Sequence, residues 1–253
     1  MTGIPTFSLD IQPSEGKTSL KRIFEYMKES GKRCYIAIDE FQQVLYYPEE
    51  GTEALIRSYI QFLPNVYFIF SGSRRHMMEE MFLSANRPFF QSSMVMSLQS
   101  IDKEKYLSFA NNMLSRDSRK IDNGTFDYIY SESQGITWYI QAILHGIYEH
   151  REEEINKDLV DTVINELIEE QATSYQNYLS WLTDNQQQLL RAIAEEGLVS
   201  SPLSRKFIKA HNLPATSSIK TALNALADKQ LVSRTPQGYS VSDIFFEKWL
   251  RRN

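Results

Sequence analysis

CYIAIDEFQQV, residues 34–44, and a second stretch, VYFIFSGSRRHMM, residues 66–78, decide the fold. Each opens with five apolar residues and ends in polar ones: Asp39-Glu40 in the first, Ser71-Gly72-Ser73-Arg74-Arg75 in the second. A continuous apolar run of that length reads as a strand buried on both faces, the habit of parallel sheets. Between the two, residues 52–63 (TEALIRSYIQFL) carry apolar side chains at helical spacing, and Pro64-Asn65 closes the helix. Strand, helix and strand joined by short loops make a βαβ unit with a right-handed crossover. Working outward, FSLDI (7–11) reads as a strand and residues 18–29 as a helix. RRHMMEEMF (74–82) follows as a helix and MVMSL (94–98) as a third strand.

From Asp102 the strand signal disappears. Helical patterns follow, punctuated by Asn123-Gly124 and Gly135, as far as an acidic helix over 157–171. Beyond Thr183 come three further helical segments, DNQQQLLRAIAEEG, SRKFIKAH and SSIKTALNALADKQ, and then LVSRTPQGYSVSD, where Pro236-Gln237-Gly238 turns between two short strands. Three helices and a β-hairpin form the winged helix order. The expected organisation is an α/β segment over 1–100, an all-α segment over 101–180 and a winged helix over 181–253.

The net charge of −5 conceals an asymmetry. Residues 183–253 hold ten Lys/Arg against six Asp/Glu, a balance of +4, whereas residues 1–182 hold 17 against 26, a balance of −9. The C-terminal third is thus a separate electrostatic object. Its basic residues, Arg205, Lys206, Lys209, Lys220, Lys229, Arg234, Arg251 and Arg252, suit DNA. Only Lys220 and Lys229 fall on the expected recognition helix, though, and winged helices also dock proteins. No apolar run approaches 18 residues and no basic-then-apolar leader opens the chain, so a cytoplasmic protein with no membrane span is expected. The single Cys34 excludes an internal disulfide and reads as a small core residue. His76, His145, His150 and His211 lack ligand spacing, and Met77, Met78 and Met81 read as core.

Ligands of open parallel sheets bind beyond the carboxyl ends of the strands. Asp39-Glu40 at such an end is what nucleoside triphosphate hydrolysis requires: one carboxylate for Mg²⁺, one to orient the attacking water. A neighbouring tip ending Ser-Gly-Ser-Arg can aim a hydroxyl and a guanidinium at a γ-phosphate. A strand must also end in something polar, and Asp39 or Ser73 at these positions would serve equally as a helix cap.

CYIAIDEFQQV followed by YFIFSGSRRHMM resembles the Walker B and sensor 1 segments of AAA+-related ATPases of archaea and bacteria, a branch related to signalling ATPases that continues into a helical lid and a winged helix. The resemblance implies a partial P-loop sheet, Mg²⁺-dependent ATP hydrolysis driving a conformational switch, Asp39 as the Mg²⁺ ligand and Glu40 as the catalytic glutamate. Ser73 and Arg74 would form the sensor, and Arg87 of ANRP (85–88) would reach a neighbouring nucleotide. Gly135 of QGITWYIQAI (134–143) would lie where relatives close over the adenine, although Thr137 stands in place of their proline. A phosphate loop is the chief departure. QPSEGKTSLKRIF (12–24) contains Gly16-Lys17-Thr18, but Ile11 stands where the first glycine of G-x-x-x-x-G-K-[ST] belongs, and one glycine cannot build the nest. The expectation is an ATPase portion without its own Walker A segment. A nucleotide-independent DNA-binding regulator and a protein-docking adaptor are the alternatives.

Overall fold

The computed structural model describes residues 13–253, with side chains from Leu20 onward. The chain divides into two compact units, residues 1–98 and 99–253. FSLDI lies outside the described residues.

In the first unit, α1 (Pro13–Ser30) leads to β1 (Cys34–Ile38), α2 (Thr52–Ile60), β2 (Val66–Phe70) and α3 (Arg75–Leu83), with a 3₁₀ turn over Phe41–Tyr46. The two strands pair in parallel, Cys34 opposite Val66 through Ile38 opposite Phe70. The βαβ unit read from the sequence is therefore present. Leu20 and Met27 of α1, Tyr59 and Ile60 of α2 and Met78 of α3 all pack toward the face that carries Cys34, Ile36, Ile38, Phe68 and Phe70. An aromatic knot of Phe41, Phe70, Phe82 and Phe89 closes the core, its ring centroids 4.4–6.0 Å apart.

Two expectations need correction here. The strands are not buried on both faces: Tyr35, Tyr67 and Ile69 stand exposed on the side away from the helices, with Tyr35 stacked on Tyr67 at 5.2 Å. Side chains alternate across a pleat, so helices confined to one side leave every second residue bare. MVMSL is not a strand either. Among the described residues it has no ladder partner, and Met94, Met96 and Leu98 are 95%, 80% and 88% exposed. An apolar run becomes a strand only where another backbone accepts its hydrogen bonds.

The second unit is helical: α4 (Lys103–Leu114), α5 (Asn123–Glu132), α6 (Thr137–His150), α7 (Lys157–Glu170) and α8 (Ala172–Ser180), then α9 (Asp184–Glu196), α10 (Arg205–Ala210), α11 (Thr216–Asp228), the hairpin β3 (Val232–Thr235) and β4 (Gly238–Val241), and α12 (Ile244–Arg252). Local chemistry sets the boundaries. Asp102, Asp122, Asn156, Ser204 and Asp243 each accept a backbone N–H of the helix that follows. Val199 forms a single antiparallel bridge with Tyr239 at the edge of the hairpin.

One continuous core runs from Tyr106 to Leu250. The helix α12, absent from the sequence reading, joins its two ends. Tyr175 stacks on Phe246 at 4.9 Å, and Phe245 meets Tyr139 edge-on at 4.8 Å. The buried Tyr139 hydroxyl accepts the Ile244 N–H at 3.1 Å, and Lys248 pairs with Glu132. The all-α segment and the winged helix therefore share one hydrophobic interior. No helix among the described residues is long and apolar enough to cross a membrane.

Candidate active site

The two strand tips lie side by side because the parallel register sets Ile38 opposite Phe70, and backbone bonds carry the pairing past the strands. Ser71 N–H donates to Ile38 C=O at 3.0 Å and Phe41 N–H to Ser71 C=O at 2.9 Å. Five polar side chains meet there. Ser71 Oγ donates to Asp39 Oδ1 at 2.7 Å, and the Glu40 N–H reaches the same oxygen at 3.0 Å. Ser73 Oγ donates to Glu40 Oε2 at 3.0 Å, and Gln42 Nε2 donates to that oxygen as well.

These contacts set the electrostatics. The Ser71 hydroxyl, followed by the Glu40 amide, holds the Asp39 carboxyl below its ordinary range, so Asp39 is anionic across the physiological span. Both bonds to Asp39 fall on Oδ1 and both to Glu40 on Oε2; among the described residues none falls on Asp39 Oδ2 or Glu40 Oε1. Each of the two carboxylates, both at the β1 tip, thus presents one anchored and one open oxygen. Glu40 adopts φ 49°, ψ 41°, the left-handed region that non-glycine residues seldom occupy. Such a conformation persists where the surroundings over-determine it, and functional sites are its common setting.

The remaining candidates are placed differently. Arg74 turns from the carboxylates: its Nη1 donates to the Tyr46 hydroxyl at 2.5 Å, and its guanidinium lies over the Tyr46 ring, 5.4 Å from the centroid. Arg87 is held within its own unit by two carboxylates, Glu53 at 3.3 Å and Glu80 at 3.1 Å. Burial pushes the Glu53 carboxyl up while the Arg87 charge pulls it down. Gly135 belongs to the second unit, in the turn before α6, at φ +68°; a Cβ there would stand 2.9 Å from the Tyr130 ring. Gly16, Lys17 and Thr18 lie inside α1, where backbone N–H groups serve the helix's own ladder instead of a nest. The tips therefore offer oxygen ligands suited to a hard cation such as Mg²⁺.

Sequence reading missed Gln42, which is completely buried beside this cluster. Its position two residues after Glu40 was the available signal. In the winged helix, Arg251, still exposed, is bonded to Glu247 and to the Ala194 carbonyl, both at 2.5 Å. A cavity of about 450 Å³ in the second unit is walled by Tyr178, Trp181, Leu182 and Phe246, with Lys229 and Asp243 at its polar side.

Residues 173–252 match the family model described as a probable winged helix domain. No curated protein matches in sequence. Among solved structures, a Walker-type ATPase of Pyrococcus abyssi superposes with a TM-score of 0.64 at 14% identity, over 96% of this chain and 69% of its own. The RuvB Holliday junction branch migration motor of Thermotoga maritima is similar more loosely, with a TM-score of 0.46 at 15% identity over 92% of this chain and 74% of its own. The ORC2 protein of Aeropyrum pernix reaches 0.46 at 15% over 96% and 72%. At these identities the likeness is one of fold. The chain has a mixed α/β, P-loop ATPase-like fold with a small parallel sheet, a helical region and a C-terminal winged helix.

Proposed function

We propose that this chain is the water-activating and metal-binding portion of an AAA+-like ATPase, in which Mg²⁺-dependent ATP hydrolysis drives a conformational switch once a phosphate loop is supplied. The observation that carries this reading is the cluster of Asp39, Glu40, Gln42, Ser71 and Ser73 at the carboxyl end of a parallel sheet, with one open oxygen on each carboxylate. Asp39, kept anionic by Ser71, would hold Mg²⁺ through Oδ2, and Glu40 would accept a proton from the attacking water at Oε1. The metal, when bound, supplies charge neutralisation for the phosphates. Ser73 anchors Glu40 and leaves its second oxygen for the water. Arg74 would reach a γ-phosphate only after releasing Tyr46, and Arg87 would reach a neighbouring nucleotide only after releasing Glu53 and Glu80.

The test is steady-state hydrolysis by the chain with a phosphate-loop segment supplied in front of it. Glu40→Gln should keep ATP binding while kcat falls about 100-fold or more. Asp39→Ala should weaken Mg²⁺-dependent binding and turnover together. Parental hydrolysis in Glu40→Gln would reduce the cluster to a strand end. The chain alone should bind Mg·ATP weakly, because the main block of phosphate contacts is missing. A micromolar dissociation constant abolished by Lys17→Ala would instead make Gly16-Lys17-Thr18 the loop.

The winged helix supports a second reading, a nucleotide-independent DNA-binding or protein-docking module in a cytoplasmic protein. It is favoured by the +4 balance of residues 183–253. DNA affinity that drops steeply between low and physiological salt would support the DNA form. No binding even at low salt would leave protein docking.

A further inference from the structure

Gln42 is fully buried, yet its amide is only half used. Nε2 donates to Glu40 Oε2, while Oε1 is buried with no hydrogen-bond partner among the described residues. The amide fits only because residue 72, on the other strand tip, is glycine: a Cβ there would come within 2.2 Å of Gln42 Oε1 and 2.7 Å of Met78 Sδ. An orphaned buried acceptor works against stability, and leucine, of similar size, would fill the same space without it. Packing alone therefore argues against glutamine at this position. What glutamine adds is a donor aimed at one carboxylate oxygen.

We propose that Gln42 is a positioning residue for Glu40, held in the core at a cost to stability so that its amide, together with the Ser73 hydroxyl, fixes which carboxylate oxygen faces solvent. Two donors reach Oε2 from different loops, Gln42 from the turn after β1 and Ser73 from the tip of β2. With Oε2 pinned at both, the carboxylate cannot rotate, and Oε1 stays open. Glu40 itself holds a left-handed backbone, a conformation that persists where the surroundings over-determine it. Gly72 is part of the same device, because any side chain there would displace the amide. The catalytic meaning of this arrangement rests on the ATPase reading; the Gln42–Glu40 link itself does not.

Three measurements on the full chain decide the matter. Side-chain amide protons of Gln42, followed by NMR, should exchange roughly tenfold or more slowly relative to an exposed glutamine and lose that protection in Glu40→Ala. In Gln42→Leu the thermal midpoint should stay level or rise, since the orphaned oxygen is removed. In the hydrolysis assay the same variant should lose kcat, by up to about 100-fold, with KM for ATP unchanged, because a misplaced group costs rate and not binding. Ser73→Ala should lose kcat in the same sense. A midpoint that falls along with kcat would make Gln42 an ordinary core residue and overturn the proposal. Unprotected amide protons, or full kcat in Gln42→Leu where Glu40→Gln is inactive, would overturn it too. If Glu40→Gln itself hydrolyses at the parental rate, the ATPase reading fails, and the exchange measurement still decides whether Gln42 holds Glu40.

Discussion

The two units reach stability by different means, and the difference bears on where function can sit. The second unit closes on itself: α12 returns to the helical region, and fully buried side chains such as Phe126, Ile140, Ile193 and Phe246 belong to one interior. The first unit builds two small clusters on a single face of a two-stranded sheet, and it leaves Tyr35, Tyr67 and Ile69 open on the other. Parallel sheets ordinarily have both faces covered. Its polar cluster lies at the tips of that thin sheet, held by serine hydroxyls and one buried amide instead of a deep core. The unit with more chemistry has less packing behind it.

The largest effect should come from emptying the aromatic knot. Phe41→Ala should cost about 3–5 kcal/mol, as should Phe126→Ala in the second unit, since both rings are fully buried. Hydrogen exchange read by mass spectrometry should show Phe41→Ala stripping protection across residues 20–98, because the first unit has little core to spare. Phe126→Ala should weaken the second unit and leave it folded. Equal tolerance in the two units would break the contrast.

A somewhat smaller loss is expected when the Arg87 clamp is cut. Arg87→Leu leaves Glu53 buried without its cation, which costs about 3 kcal/mol at neutral pH. Burial already holds the Glu53 carboxyl above its ordinary value of 4.5. A group raised in the folded state stabilises it below the ordinary value and loses that contribution as pH climbs through the raised one. The deficit of Arg87→Leu, followed by denaturant midpoints, should therefore shrink as pH falls toward 4.5. A deficit that grows on acidification would mean that Glu53 is not the group left stranded.

The smallest effect is assigned to the open face. Ile69→Lys should change stability by no more than about 0.5 kcal/mol, because the side chain is more than half exposed. A loss above roughly 2 kcal/mol would show that this face is covered in solution, and it would remove the contrast between the units.

Much of the first unit was legible in the sequence because its signals are local. CYIAI and VYFIF announce strands, and Asp39-Glu40 and Ser71–Ser73 announce where the polar ends fall. The winged helix was legible for the same reason, in its Pro236-Gln237-Gly238 turn and the helical periodicity before it. MVMSL carries as strong a local signal and still forms no strand, because pairing needs a second backbone that no local pattern can report. The helix α12 was overlooked because IFFEKWLRR follows a hairpin that already completed the expected order. Its role emerges only where Phe245, Phe246 and Lys248 meet residues more than seventy positions earlier in the chain.

Residue types alone determined which side chains are able to do chemistry: two adjacent carboxylates, two serines and an arginine at strand ends. Tertiary structure decided which of them act together. The parallel register brought Ser71 to Asp39 and Ser73 to Glu40, whereas Arg74 went to Tyr46 and Arg87 to Glu53 and Glu80. It also placed Gln42 beneath the cluster and Gly72 beside it. Local sequence sets backbone propensity and the order of polar and apolar groups. Partner choice depends on distances of a few ångströms between segments far apart in the chain, and those exist only once the strands have paired.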